Sequence, residues 1–367
     1  MEIKQSKYNH LKKRRNSKVI KELSNRKSPL TSSNKSAWKL VGTITFSILL
    51  CTIVLVPTLI VMIPKKEQPT QGEVTDVFEE EQIEVPQLHV TVKRTATGEV
   101  EEVPLEKYVA SVVASEMPAE FEVEALKAQA IAARTYIVNH LLHQEDKEEV
   151  IISDTTEHQV YKNEEELKRD LGADFHWKME KVADAVNATK NEIITYEQQP
   201  ITPTFFSMSN GLTEDAENYW GSPLPYLKSV ESRWEESHPN FTEQTIFTIE
   251  EVNSKLGTSL PAQTAIPIKI TRTESNRVNK LTLNDKAFSG REVREKLGLR
   301  SNDFSIQQKD NHLIFTTKGY GHGVGMSQYG ANGMAEEGKG YKEILSYYYQ
   351  DVEITTITEA APTLVAK

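Results

Sequence analysis

The fold turns on residues 104–143, "PLEKYVASVVASEMPAEFEVEALKAQAIAARTYIVNHLLH". Two apolar periodicities flank Met117-Pro118. Leu105, Tyr108, Val109, Val112 and Val113 recur at helical spacing, which predicts a helix over 105–117 that Pro118 stops. Val123, Leu126, Ala130, Ile131, Ile137, Val138, Leu141 and Leu142 predict a second helix, from about 123 to 143, with one apolar face. Glu116 follows Val112 by four residues and Val113 by three, so it lies on the apolar stripe and not on the wet face. A carboxyl group desolvated there is pushed toward its neutral form, the form a general acid needs. Fraying beside Pro118, or a backbone group that caps the carboxylate, accounts for the same position without catalysis.

Arg134 raises a similar question, because it sits between Ile131 and Val138 on the second helix's apolar face. An inward arginine pairs with a carboxylate or binds an anion. Alternatively, its stem runs along apolar surface and carries the charge to the rim. If the two helices face each other, Glu116 or a substrate carboxylate is a candidate partner. An ion pair with Glu116 would lower that group's pKa and oppose the effect of burial.

Outward from these helices the pattern is mixed. "LHVTVKRTATGEVEEVPL" reads as a hairpin, and 179–211 as helix, strand, turn and strand. "IPIKITRTESNRVNKLTLN" and "FSIQQKDNHLIFTTKG" read as two more strand pairs. "SGREVREKLG" carries a capping box, Ser289 to Glu292, and a closing Gly298. A Gly-rich loop and two short helices close the chain. Helices and hairpins without regular βα alternation predict an α+β fold.

Charge divides the chain. Residues 1–39 hold 12 Lys and Arg against 2 Glu, a balance of +10, whereas residues 67–367 hold 29 basic and 51 acidic side chains, a balance of −22. So acidic a domain argues against wrapping a nucleic acid. Between them, "LVGTITFSILLCTIVLVPTLIVMI" (40–63) runs 24 residues without a charge. About 20 apolar residues suffice to span a bilayer. The long segment before it, the length of the run and the missing A-x-A site argue against a cleaved signal peptide. The predicted organisation is a basic cytoplasmic tail (1–39), a transmembrane helix (40–63), an acidic linker (64–88), a domain over 89–355 outside the cytoplasm, and a C-terminal tail (356–367). The single cysteine, Cys51, lies in the apolar run, so the outer domain has neither a disulfide framework nor a cysteine metal site.

Four further stretches hold candidate site residues. "SDTTEHQVYK" (153–162) groups Asp154, His158, Gln159 and Tyr161, residue types that suit a polar loop lining a sugar site; a lone histidine is weak evidence for a metal. "FFSMSNG" (205–211) and "NYWGSPLPYL" (218–227) set small polar groups beside Tyr219, Trp220 and Tyr226, which suits a glycan or, as readily, a core strand with an Asn-Gly turn. "GYGHGVGMSQYG" (319–330) has five glycines in twelve residues but lacks the G-K-[ST] ending of a phosphate loop and dinucleotide spacing. Its glycines fit a backbone passing close to a ligand, or to His322 and Gln328. Neither Ser207 nor Ser209 lies in a G-x-S-x-G elbow.

Taken together, "EKYVASVVASEMPAEFEVEALKAQAIAARTY", "SDTTEHQVY", "TYEQQPITPTFFSMSNGLT", "WGSPLPYLKSV" and "GYGHGVGMSQYGA" resemble the stage II sporulation protein D family of membrane-anchored peptidoglycan lytic transglycosylases, from about residue 90 to 352. The resemblance implies a substrate of cell-wall glycan, preferably stripped of stem peptides, and action in engulfment. It implies that Glu116 is the single acid/base, protonating the glycosidic oxygen and then taking the muramoyl C6 hydroxyl proton as a 1,6-anhydro ring closes. No second carboxylate is then required. It also implies a sporulation amidase/endopeptidase and a membrane scaffold protein as partners. The resemblance extends to relatives that look able to bind zinc through His and Cys near "HQVY"; with His158 but no Cys there, no metal or other cofactor is expected. Arg134, Gln159, Tyr161, Ser207, Asn210, Gly211, Trp220, His322 and Gln328 sit in the matching motifs and are expected in the substrate pocket. Arg134 and Gln328 would orient Glu116 or bind muramoyl groups, and the aromatics would stack on sugar faces. The alternative is a non-catalytic enhancer of a peptidoglycan amidase, since the same domain family includes such proteins. A purely adhesive ectodomain would explain none of the motifs.

Overall fold

The computed structural model describes residues 88–144 and 151–365. The predicted tail and apolar span, and the linker up to residue 87, lie outside the described residues. Among the described residues no helix is long and apolar enough to cross a membrane.

The hairpin comes first, β1 (His89–Lys93) and β2 (Val100–Pro104), antiparallel around a turn at Gly98. Then follow α1 (Leu105–Glu116), α2 (Val123–Leu142) and β3 (Ile151–Ser153), the last pairing with β1 in parallel. Next come α3 (Glu164–Leu171), α4 (Phe175–Ala188), β4 (Glu192–Tyr196), β5 (Gln199–Pro200), β6 (Phe205–Phe206), β7 (Gly211–Leu212), α5 (Ala216–Trp220) and β8 (Glu231–Ser232). A second group runs from β9 (Thr242–Thr248) through α6 (Ile249–Leu256), β10 (Ile268–Arg272), β11 (Val278–Leu283), β12 (Lys286–Ser289), α7 (Gly290–Leu297) and β13 (Phe304–Lys309) to β14 (His312–Lys318). The chain then returns through β15 (Met326–Ser327), α8 (Gln328–Glu336), α9 (Tyr341–Tyr348), β16 (Glu353–Thr356), α10 (Ile357–Ala360) and α11 (Pro362–Val365). Helices with mostly antiparallel strands agree with the predicted α+β class.

The described residues form two cores. The larger is built on α1, α2, α4, α8, α9 and the sheet β16-β4-β5. At its centre α2 is buried on more than the one predicted face, with Ala125, Ala128, Ala132 and Ala133 enclosed as well as the predicted Leu126, Ala130, Ile131, Ile137 and Val138. The small alanine side chains let neighbouring helices close on every side. Val123, assigned to the apolar face, is 38 % exposed. The smaller core, including Phe247, Leu281, Phe304 and Phe315, is an inserted lobe of two three-stranded sheets, β10-β11-β12 and β13-β14-β9, with α6 and α7. The sequence showed its hairpins but not that they form a separate core. At its α7, Ser289 caps the Glu292 N–H and Gly298 closes the helix in the left-handed conformation. Residues read as a C-terminal tail instead reach the larger core through Ile357 and Ala361.

The seam between the cores is polar. Asn210 Nδ2 donates to the Ser275 carbonyl at 2.8 Å and to Asp303 Oδ2 at 2.9 Å. Glu214 Oε2 accepts from the hydroxyls of Thr273 and Ser275, both at 2.7 Å. Arg277 Nη2 donates to the Leu212 carbonyl at 2.9 Å. Buried groups bonded in this way fix one orientation of the lobe, because any other leaves them unpaired.

Candidate functional site

The residue before a proline is driven out of the helical region. Met117 accordingly takes φ −128°, ψ 135°, and α1 ends at Glu116. Pro118 therefore fixes where the carboxylate stands at the helix end. Glu116 Oε1 accepts from the Val160 backbone N–H at 3.2 Å, and the Glu116 carbonyl accepts from Gln328 Nε2 at 3.1 Å. Burial raises the Glu116 pKa, while the Val160 N–H and the Lys162 charge act against it; burial is the larger effect. Of the two explanations open at the sequence level, both are present in part: the group is desolvated, and a backbone donor caps it.

The loop that supplies Val160 is held at several points. The Ser111 hydroxyl donates to the Lys162 carbonyl and accepts from the Lys162 N–H at 3.3 Å, which ties the loop to α1. Asp154 accepts from the Thr95 N–H at 3.1 Å and its hydroxyl at 2.5 Å. His158 Nδ1 meets the Ser153 hydroxyl at 2.9 Å, and its ring stands edge-on to His140. Gln159 is buried, accepting from the Tyr108 hydroxyl at 3.2 Å. Tyr161 stacks on Tyr108 at 5.6 Å and donates to Glu101 at 3.2 Å. Among the described residues no group of three or more His, Cys, Asp or Glu side chains could hold a metal ion.

Arg134 is elsewhere. It is 0 % exposed and grips Glu106, near the start of α1, through Nε at 3.1 Å to both oxygens and Nη2 at 2.6 Å to Oε2. It also donates to the carbonyls of Glu192 and Val186 at 3.2 Å each. The expectation that it holds Glu116 or a substrate carboxylate is corrected: its donors are committed inside the core. The helices do face each other, but Arg134 meets the opposite end of α1.

Every second residue over 319–325 is a glycine with positive φ: 74° at Gly319, 116° at Gly321, 89° at Gly323 and 82° at Gly325. These glycines let the loop pass close to the protein's own backbone. A Cβ on Gly325 would stand 2.0 Å from the Thr204 carbonyl, and one on Gly323 2.4 Å from the Arg277 guanidinium. The loop runs beside residues 204–209, exchanging bonds between Met208 and Tyr320, and delivers Gln328 at the start of α8. Ser207 contributes its carbonyl, which accepts from the Tyr329 N–H at 3.1 Å. Beneath, the buried Glu235 accepts from the hydroxyls of Ser327 and Ser232 and from the Ser209 N–H.

Trp220 and His322 form a second cluster with Tyr219, their ring centres 5.5 to 5.9 Å apart. His322 Nδ1 accepts from the Val324 N–H at 3.1 Å. His322 as a whole is half-buried. Burial first, then Arg294, Arg277 and Arg291, pushes its pKa down to about 3, and a hydrogen bond to the Phe205 backbone only partly opposes them. His322 is thus a neutral packing group. Asn210 lies at the lobe seam, and Gly211, at φ 108°, donates its N–H to the Ser209 hydroxyl at 3.0 Å.

Of the expected pocket residues, the structure brings Gln328 to Glu116 directly and Gln159 and Tyr161 to the flanking loop and Tyr108. Trp220 and His322 stand together; Ser207 and Gly211 support backbone; Asn210 and Arg134 are structural. Sequence reading missed Val160, Ser111, Lys162 and Glu106. Ser111 left a signal, a hydroxyl inside an apolar run. A backbone donor such as Val160 leaves none.

The family model described as "Stage II sporulation protein" matches residues 93–196. The chain is 44 % identical over 326 residues to stage II sporulation protein D of Bacillus subtilis (strain 168), covering 85 % of this chain and 95 % of that protein. It is 45 % identical over 283 residues to stage II sporulation protein D of Bacillus amyloliquefaciens, covering 76 % and 82 %. A more distant relative is the amidase enhancer of Bacillus subtilis (strain 168), 27 % identical over 67 % of this chain and 40 % of that protein. The two motif helices and the loop at 153–162 lie within the matched residues 93–196, and with relatives of this identity and coverage the chain belongs to the stage II sporulation protein D family.

Proposed function

We propose that the protein is a peptidoglycan lytic transglycosylase acting in sporulation, with Glu116 as its acid/base. Family membership supports the sporulation role. The observation that carries the chemistry is Glu116 itself: a carboxyl group at a helix end, raised in pKa by burial and bonded by one oxygen to a backbone N–H, on a residue whose backbone carbonyl accepts from Gln328. In the neutral form it donates its proton to the glycosidic oxygen between N-acetylmuramic acid and N-acetylglucosamine. The C1–O bond breaks and positive charge develops at C1. The C6 hydroxyl of the same sugar then bonds to C1, its proton passes to the Glu116 carboxylate, and the acid is regenerated. Atoms balance without water, and the step asks for one carboxyl group rather than the two of a hydrolase.

The test is incubation of the full chain with peptide-free glycan strands and mass analysis of the products. Anhydro-muramoyl ends from the wild type and none from Glu116→Gln are the expected result. Reducing ends would mean hydrolysis, and no new ends at all would end the enzyme reading. The distant amidase enhancer supports a second reading, a non-catalytic activator. It predicts no new ends and a faster amidase. In either reading we propose that residues 40–63 anchor the chain and 89–355 act outside the cytoplasm, with glycan strands, an amidase/endopeptidase and a membrane scaffold protein as partners. The apolar run and the basic segment before it support this topology. Protease added outside protoplasts should cut within 67–367.

A further inference from the structure

Ser111 stands inside the apolar run of α1, between Ala110 and Val112, and is buried. A hydroxyl on a helix commonly bonds back to its own backbone. Ser115, one turn on, does so, donating to the Ser111 carbonyl at 2.8 Å. Ser111 turns away from its helix instead. Its hydroxyl donates to the Lys162 carbonyl and accepts from the Lys162 N–H at 3.3 Å, so one side chain serves both backbone groups of one residue. Residues 159–162 belong to no helix or strand, and the Tyr161 N–H reaches the Asp154 carbonyl only at 3.4 Å. A second tie comes from the same helix: the Tyr108 hydroxyl donates to Gln159 Oε1 at 3.2 Å, and its ring stacks on Tyr161. Between the two ties lies Val160, whose N–H reaches Glu116 Oε1 at 3.2 Å.

We infer that Ser111 is a positioning residue for Glu116: by holding both backbone groups of Lys162 it keeps the Val160 N–H on the carboxyl group that ends the same helix. The inference deepens the proposed acid/base role of Glu116 and rests on it. Helix α1 thus orients its own terminal carboxyl group through a loop that it also anchors. Without the hydroxyl, Lys162 loses two partners in a partly buried place, and the loop is free to back away from α1. The Val160 N–H stabilises the charged form of Glu116, and the Lys162 ammonium does the same from the same loop. A receding loop weakens both, so the carboxyl group keeps its proton to higher pH. Around Glu116, Tyr108 of α1 stays protonated, its pKa raised first by burial, and α8 brings the neutral Gln328. Among the described residues Lys162 is the charge that bears on Glu116, and Ser111 holds its backbone.

The test compares the full chain with Ser111→Ala, and with Ser115→Ala as a control on the same helix. Amide exchange read by mass spectrometry should be about tenfold faster at Val160 and Lys162 in Ser111→Ala, the factor that one lost hydrogen bond gives. It should be unchanged in Ser115→Ala. Wild-type protection at Phe304, in the core of the inserted lobe, reports that the variant is folded. The alkaline limb of the pH–rate profile should move to higher pH in Ser111→Ala and stay in place in Ser115→Ala. Loss of packing alone would not move it. Ser111→Cys keeps nearly the same volume with a weakly bonding thiol, and should show both changes in smaller measure. Unchanged exchange at Val160, or a limb that stays or moves to lower pH, would overturn the inference. If the wild type makes no new glycan ends, the acid/base reading falls by itself. The Glu116 titration is then followed through its carboxyl carbon resonance, assigned by its absence in Glu116→Gln. An upward shift in Ser111→Ala upholds the positioning of the carboxyl group, and an unmoved midpoint removes it, so the two failures are told apart.

Discussion

Gln328 Nε2 donates to the carbonyl oxygen of Glu116 at 3.1 Å, so the first residue of α8 holds the last residue of α1 across 212 positions of sequence. The contact couples the Gly-rich strap to the carboxyl-bearing helix end. Gln328 is 5 % exposed, so its loss leaves a poorly solvated carbonyl. Gln328→Ala should cost about 1 kcal/mol in a denaturant titration and lower glycan cleavage more than stability, because a small displacement of an acid is felt strongly in rate.

Glu116→Gln should abolish cleavage, a loss of about 10²- to 10⁴-fold for a general acid, without unfolding the protein. Its stability effect has a definite sign. The folded pKa lies above the ordinary 4.5 because of burial, so the folded state binds more protons and wild-type stability falls as pH rises between the two values. The amide has no such loss. Urea melts at pH 4 and pH 7 should show the variant gaining relative to wild type at the higher pH.

Lys162 acts against burial at Glu116 while itself paired with Asp170 at 2.8 Å on the surface. Lys162→Met should therefore raise the Glu116 pKa further. The alkaline limb of the pH–rate profile, where the acid loses its proton, should move to higher pH. A shift the other way would show that Lys162 does not sense Glu116. Stability should change by under about 1 kcal/mol, as for exposed pairs.

Arg134 and Glu106 form a core ion pair, and breaking it from one side leaves the other charge uncompensated. Arg134→Met should cost about 3–5 kcal/mol, and the double variant with Glu106→Gln should recover part of it. Activity per folded molecule should stay near wild type at low temperature. A normal melting curve with lost activity would instead restore Arg134 to the substrate.

Gly325 has φ 82° and no room for a methyl group beside the Thr204 carbonyl, whereas Gly98 has φ 77° and nothing within 4 Å. Both alanine variants meet backbone strain, but only one meets a collision. Gly98→Ala should cost about 1 kcal/mol, and Gly325→Ala about 3 kcal/mol or more, read as the difference in urea midpoints.

The end of α1 was legible in sequence because proline restricts its immediate neighbour, an effect that needs no tertiary partner. Gln328 was legible as a candidate only through its motif. Its contact with a backbone oxygen was not, since carbonyl acceptors exist at every residue. The inserted lobe was half legible: its hairpins and the Ser289 cap are local, but a separate core of Phe247, Leu281, Phe304 and Phe315 is a long-range fact.

By itself the sequence determined that a carboxyl group ends a helix on its apolar stripe, that alternate glycines follow β14, and that the class is α+β. Each follows from neighbours within a few residues, where steric limits and side-chain periodicity act. Only the tertiary structure decided that Arg134 belongs to Glu106, that Val160 caps Glu116, and that Arg294 from the inserted lobe stands beside Tyr219. Those pairings join residues 28, 44 and 75 positions apart. Which of many possible partners a charge meets at such separations is set by how the helices and the lobe pack, and by the cost of leaving any other combination buried and unpaired.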